Sequence, residues 1–333
     1  MAKSDAAGVL MLSCREIERL MSFGDYVEAV EAAFKAAAEG RAVAPPALSL
    51  GVDGGAFHAK SAALPLGERL YVAVKINGNF PENRARRGLP TVQGVIYLAD
   101  GGNGVPLAVM DSIGVTIERT GAATAVAARY LARRDARTAF VCGAGVQGRV
   151  QLRAVKHACP IERAWVFDLD AKAAAALAES MSVELGISVA PAADLAGARG
   201  CDVIVTCTSA RRAFLRPDHV RSGTFVAAVG ADNPDKQEID PALFQRATVV
   251  VDSLEQCAEI GDLHHALAAG TFARERVHAG LAEIVAGRKP GRRSAEEITL
   301  FDSTGLGLQD VAAAAVIYER ALARGAGTRL SLA

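Results

Sequence analysis

The sequence predicts an α/β fold, with a doubly wound, mostly parallel sheet in its second half and an α+β region before it. Three observations carry that expectation. Residues 138–142 are a short β-prone run that enters Gly143-Ala144-Gly145-Val146-Gln147-Gly148, and an amphipathic stretch follows. Beyond it, strand-like apolar runs alternate with helical ones, the pattern of parallel strands joined by crossover helices. From residue 48 to 110 the texture differs. Short β-prone runs there are separated by Gly, Pro and Asn, as in an antiparallel sheet.

Taken in order, Ser13 and Glu16 form a capping-box pattern at the start of a short helix over 14–21. A second helix over 26–39 carries Val27, Val30, Ala33, Phe34 and Ala37 at helical spacing. Pro45-Pro46 stops anything helical. Strands are expected over 56–59, 71–76, 91–98 and 106–110, with turns at Asp53-Gly54-Gly55, Asn77-Gly78 and Asp100-Gly101-Gly102. The hairpin 94–110, with Asn103-Gly104 in its connection, is the clearest pair. An Ala-rich helix over 116–131 links the two regions. Past the glycine turn come a helix at 150–157, a strand at 165–167, a helix at 171–181, and strands at 187–189, 203–206, 224–228 and 248–251. A last helix over 311–323 can pack back on the first region. That would make one domain discontinuous, 1–118 with 312–333, around a second of 119–311.

Gly143, Gly145 and Gly148 stand in G-x-G-x-x-G spacing. The first permits the turn, the second lets backbone approach a pyrophosphate, and the third allows close helix-strand packing. The helix start offers free N–H groups to an anion. Asp168 ends the next strand, twenty residues after Gly148. A dinucleotide fold places an acid there on the adenosine ribose, which favours the free 2′-hydroxyl of NAD over the 2′-phosphate of NADP. An ordinary βα turn with an incidental Asp is the plain alternative.

Composition narrows the partners. The 333 residues hold 37 Lys plus Arg and 37 Asp plus Glu, so no net basic field draws the chain to nucleic acid or an acidic membrane. No apolar run reaches the ~18 residues of a membrane span, and residues 1–12 lack a signal-peptide pattern. Cys14, Cys142, Cys159, Cys201, Cys207 and Cys257 form no C-x-x-C pair, which suits a reducing cytoplasm. The six histidines show no ligand spacing, and no metal site is expected.

Four further places can carry chemistry. Lys75 ends a β-prone run beside Asn77-Gly78, where it can bind a carboxylate or polarise an imine; a solvated edge-strand Lys is the alternative. Arg119 opens an Ala-rich helix and suits bidentate anion recognition, or a surface ion pair. Asp232 follows an apolar strand in Val229-Gly230-Ala231-Asp232-Asn233-Pro234, where strand-end loops face the ligand crevice; an Asx-turn competes. Thr206 and Thr208 end another strand and face the same crevice.

With those motifs in that order, the sequence resembles the ornithine cyclodeaminase/μ-crystallin family over nearly its full length. The resemblance runs through Val74-Lys75-Ile76-Asn77, Gly88-Leu89-Pro90-Thr91, Arg119-Thr120-Gly121-Ala122-Ala123, the glycine turn, residues 229–232 and Phe301-Asp302-Ser303-Thr304-Gly305. It implies a Rossmann-type domain, a discontinuous substrate/dimerisation domain, a homodimer, and NAD-dependent chemistry on a small amino or imino acid. The type reaction is ornithine to proline plus ammonia. Alanine-type dehydrogenation, ketimine reduction and nicotinamide binding without turnover are the alternatives. By the same resemblance, Lys75 and Arg119 hold the substrate carboxylate and Asp232 is the acid/base. Thr91, Val146, Gln147, Asp168, Thr206, Val229 and Ser303 would touch cofactor, and Thr304 substrate. Many relatives have an Arg after the Pro pair where this chain has Ala47. Lys60, on a nearby strand, is the candidate to replace it.

Overall fold

The computed structural model describes residues 8–332; residues 1–7 of the N-terminal stretch lie outside it. In chain order the first strands are β1 Val9–Leu12, β2 Leu48–Val52, β3 Gly55–Leu66, β4 Arg69–Asn79, β5 Val92–Asp100 and β6 Pro106–Asp111. Then come β7 Thr138–Cys142, β8 Arg163–Phe167, β9 Ser188–Pro191, β10 Val203–Thr206, β11 Arg211–Leu215 and β12 Phe225–Ala228. The last are β13 Gln237–Ile239, β14 Ala247–Val251, β15 Ala279–Gly280, β16 Ile298–Asp302 and β17 Thr328–Leu330. The α-helices are α1 Cys14–Leu20, α2 Phe23–Ala38, α3 Asn83–Arg87, α4 Ile113–Leu131, α5 Val146–Ala158 and α6 Ala171–Leu185. They continue with α7 Pro241–Phe244, α8 Leu254–Ile260, α9 Asp262–Ala268, α10 Leu281–Val285 and α11 Gly307–Arg324. The chain divides into two compact units. One runs to Arg119 and resumes at Leu306; the other is Thr120–Gly305.

The first unit holds a seven-stranded sheet in the order β17-β1-β6-β5-β4-β3-β2. Its entry is locally encoded twice. Ser13 donates its hydroxyl and backbone N–H to Glu16, and Ser22 does the same to Asp25, so both α1 and α2 begin with a capping box. The sheet is antiparallel except at one place that the texture of residues 48–110 does not foretell. β1 lies parallel to β6, and three helices and four further strands separate the two in sequence. Helix α11 packs on β3, β4 and β5. Its buried Tyr318 meets Tyr71 edge to face, ring centroids 6.4 Å apart.

The second unit is a doubly wound sheet in the order β15-β14-β16-β12-β10-β7-β8-β9. Every pairing is parallel. Such strands are covered on both faces, so they read as unbroken apolar runs. Phe140, Ile204, Val226 and Leu300 are fully buried accordingly. Strand β16 was not among the expected strands, since Ile298-Thr299-Leu300-Phe301-Asp302 reads as a polar-ended motif rather than a core strand. It is buried along its whole length, between β12 and β14. Helix α5 begins at Val146, before the expected residue 150. Gly148 lowers local helix propensity but sits inside the first turn for a packing reason. β7 is the switch point: β8 and β9 lie on one side of it, β10 and β12 on the other.

Candidate functional site

In the second unit the glycine turn has the geometry its spacing requires. Gly143 adopts φ +112°, open to glycine without strain. A Cβ on Gly148 would sit 2.1 Å from the Gly143 carbonyl oxygen, so only glycine lets α5 approach β7 this closely. A Cβ on Gly145 would meet nothing within 4 Å: this glycine faces open space. Gly145 is the N-cap of α5 and supplies no side-chain cap. The first N–H groups, those of Val146, Gln147 and Gly148, lie where a helix has no acceptors of its own. Val146 is exposed and Gln147 half-buried beside them. Asp168 closes the arrangement, its Oδ2 accepting from the Ala144 N–H at 2.7 Å and its Oδ1 from the Asp170 N–H at 2.9 Å. A free helix start for a diphosphate and a fixed carboxylate for a ribose fit a dinucleotide.

Thr206, Thr208 and Val229 stand at the carboxyl ends of β10 and β12. The Val229 N–H donates to the Thr206 carbonyl. Thr208 donates both its backbone N–H and its hydroxyl to Glu238 Oε1, each at 2.6 Å. Ser303 and Thr304 follow β16 and are gathered by Asp252. Ser303 Oγ donates to Asp252 Oδ2 at 2.9 Å, and the Thr304 N–H donates to the same oxygen at 3.0 Å. Thr304 Oγ1 also accepts from Gln256 Nε2 at 2.8 Å. Asp232 is exposed and pairs with Lys236 Nζ at 2.7 Å.

In the first unit Lys75, Arg119 and Lys60 come together. Lys75 is on β4, inside the sheet between β3 and β5, and only 3% exposed, so it is no solvated edge residue. Lys60 on β3 lies directly opposite it in the register. Arg119, 5% exposed, reaches the same place from α4. Asp310, on the first turns of α11, receives both: Lys75 Nζ at 2.8 Å and Arg119 Nε at 3.0 Å. Arg119 Nη1 also donates to Gln309 Oε1 at 2.7 Å. Gly307 lets α11 press on β3 here, since a Cβ would lie 2.5 Å from the Ser61 carbonyl oxygen. Burial and the neighbouring Arg119 charge push the Lys75 ammonium down to about 7, with Asp310 offsetting only part of that. Burial raises the Asp310 carboxyl, but the charges of Lys75 and Arg119 outweigh it and hold it below the usual range. Thr91 also belongs to this unit; it precedes β5 and its carbonyl accepts from the Phe80 N–H.

Asp310, Gln309, Asp252 and Glu238 escape the sequence reading. Asp310 and Gln309 do carry a signal, as two polar residues at the head of a helix that is otherwise Val- and Ala-rich through residue 316. Asp252 and Glu238 carry none, because an acid near a strand end is ordinary.

A model described as the ornithine cyclodeaminase/mu-crystallin family matches residues 8–325. The chain belongs to that family. The alanine dehydrogenase of Archaeoglobus fulgidus is 41% identical to it, across 96% of this chain and 98% of its own. Two solved structures match it end to end. An archaeal alanine dehydrogenase dimer with bound NAD shares 39% identity at a TM-score of 0.93, covering 98% of this chain and 99% of its own. The Δ1-pyrroline-2-carboxylate reductase of Thermococcus litoralis, in complex with NADH and L-proline, shares 38% identity at 0.92, covering 97% and 100%. Family members thus include NAD-linked dehydrogenases and reductases, and the resemblance drawn from the motifs holds over residues 8–325.

Proposed function

We propose that this protein is an NAD-dependent oxidoreductase that transfers hydride at the amine-bearing carbon of a small amino or imino acid. The observation that carries the proposal is the buried group of Lys75, Arg119 and Asp310, with half-buried Lys60 opposite Lys75 in the register. Lys75 and Arg119 share the single carboxylate of Asp310, which leaves surplus positive charge for a substrate carboxylate to neutralise. Arg119 is the directional part of that grip. Bound at the glycine turn, NAD supplies the hydride acceptor or donor. Lys75 does the proton work: with its ammonium at about 7, both protonation states are populated near neutral pH. In the reducing direction Lys75 gives its proton to the imine nitrogen; in the oxidising direction it takes one from the amine. Asp232 is the second candidate acid/base, and Thr304 with Lys60 complete the substrate side. Thr91, Thr206, Thr208, Val229 and Ser303 line the cofactor, with Asp168 selecting NAD.

Alanine-type dehydrogenation or cyclic imine reduction is favoured by the relatives described above. Cyclodeamination of a diamino acid such as ornithine is the second reading, supported by the family itself. The balance of NADH separates the two. Dehydrogenation accumulates it and imine reduction consumes it, whereas cyclodeamination leaves it unchanged.

A homodimer fits the outer face of the first sheet. Register places Leu48, Ile76 and Val95 in one row and Leu50 and Phe57 in the next, all on the face opposite Lys60 and Lys75. Leu48 is 69% exposed and Ile76 46%. An apolar patch of this kind marks an interaction surface, and a related solved structure is a dimer. Six free cysteines support a reducing compartment, the cytoplasm. No described helix is long and apolar enough to cross a membrane.

A further inference from the structure

We propose that Glu238 is a positioning residue for the nicotinamide half of the dinucleotide site, holding the loops after β10 and β12 at a fixed separation. The proposal rests on the NAD reading above. Asp168 follows β8, so the adenosine half of the cofactor lies on the β8 side of the switch point. The nicotinamide half then falls over the ends of β10 and β12.

Glu238 comes from β13 and is fully buried beneath those two ends. Its Oε1 accepts from the Thr208 N–H and hydroxyl, and its Oε2 accepts from the Gly230 N–H at 2.9 Å. One carboxylate therefore ties together Thr208 and Gly230, on two loops that are 22 residues apart in sequence. The approach is close enough that a Cβ on Gly230 would lie 2.4 Å from Glu238 Oε2.

Glu238 is itself held from behind. Its N–H and that of Ile239 donate to Asp262 Oδ1 at 2.7 and 2.8 Å. The N–H groups of Asp262 and Leu263 donate in turn to Asp302, which ends β16. The rim of the sheet is thus stitched carboxylate to backbone across β10, β12, β13 and β16. Hydrogen bonds are directional where apolar packing is not, so the spacing of the loops is set by this chain of acids. Glutamine cannot replace Glu238 faithfully. It has one acceptor oxygen, and turning that to Thr208 leaves its NH2 facing the Gly230 N–H.

The test compares two ligands on the full-length protein: NADH, and ADP-ribose, which lacks the nicotinamide. Dissociation constants are measured for wild type, Glu238→Gln, Thr208→Val and, as a destabilised control, the mid-sheet substitution Val249→Ala. Glu238→Gln is expected to weaken NADH about tenfold while ADP-ribose stays within about twofold. Thr208→Val removes one of the three hydrogen bonds and is expected to show the same split at about threefold, which carries the test if Glu238→Gln does not fold. Val249→Ala should lower the melting temperature without any split. Equal weakening of both ligands, or of neither, in the Glu238 and Thr208 variants overturns the proposal. Wild-type protein that binds neither ligand overturns the NAD reading, and this proposal with it.

Discussion

Asp310 governs how Lys75 behaves, and in the sequence it shows only as a polar residue at the head of an apolar helix. Lys75 and Arg119 both announce themselves as cations beside turns or small residues, whereas Asp310 acts only through a register that brings α11 over β4. Removing one partner of a buried charge group leaves the others uncompensated, at a cost of about 3–5 kcal/mol. Asp310→Asn is therefore expected to lower unfolding stability by that order in denaturant titration. It should also move the pH dependence of the reductive reaction to lower pH, since Lys75, already at about 7, loses the neutralising Asp310 carboxylate and keeps Arg119 and Lys60. In wild type the reductive kcat/KM should decline as pH rises through about 7, because the proton donor is then lost. Lys75→Met, which removes the donor and keeps the chain, is expected to cost roughly 10²–10⁴-fold in kcat. A pH profile that is flat between 6 and 8, on the order of a unit either side of that value, would count against Lys75 as the proton carrier. At Asp168 the expected outcome is NADH bound more tightly than NADPH, narrowed by Asp168→Ala; calorimetry of the two cofactors decides it.

Among the elements, those with a local cause were legible and those with a remote one were not. The capping serines, the glycine turn and the alternation after Thr138 each state their structure within a few residues. Strand β16 does not: its burial comes from β12 and β14, distant in sequence, and its terminal Asp302 looks like a loop residue. That Asp serves the chain of acids, and the acids have a cost. Burial pushes Asp302 up to about 7. Asp262 is raised well above the usual carboxylate range by burial and by its neighbours Asp302 and Glu238. A carboxyl raised in the folded state holds more protons there than in the unfolded chain. Stability therefore falls as pH climbs from about 4 towards 7, and levels off above the folded value. Asp262 Oδ1 accepts two backbone N–H groups, while its Oδ2 has no partner among the described residues. Asp262→Asn keeps the accepting oxygen and removes the charge, so it should flatten that fall in a series of thermal melts across this range. A variant as pH-dependent as wild type would place the excess proton elsewhere. At the glycine turn, Gly148→Ala drives a methyl into the Gly143 carbonyl and is expected to cost roughly 1–3 kcal/mol and most of the NADH affinity.

For the whole molecule, the first unit holds the buried group of Lys75, Arg119 and Asp310, and the second holds the glycine turn with Asp168. The second was readable because a phosphate-binding turn is short and its glycines have no substitutes. Most of the first was readable only as isolated cations, since a charged cluster assembled from β3, β4, α4 and α11 has no fixed spacing in the chain. The exposed apolar rows on the outer sheet face predict association between copies, and Ile76→Lys is expected to yield monomers in sedimentation. The central claim is hydride transfer at an amine-bearing carbon, and one measurement reaches it most directly. Purified protein is mixed with NADH and each of several imino acids, among them pyruvate with ammonium and a cyclic Δ1-pyrroline carboxylate, and NADH is followed spectroscopically. The account predicts NADH consumption that matches amino acid formed, requires the imino acid, and is largely lost in Lys75→Met. NADH that stays constant with every imino acid, or is consumed equally by Lys75→Met, would contradict it.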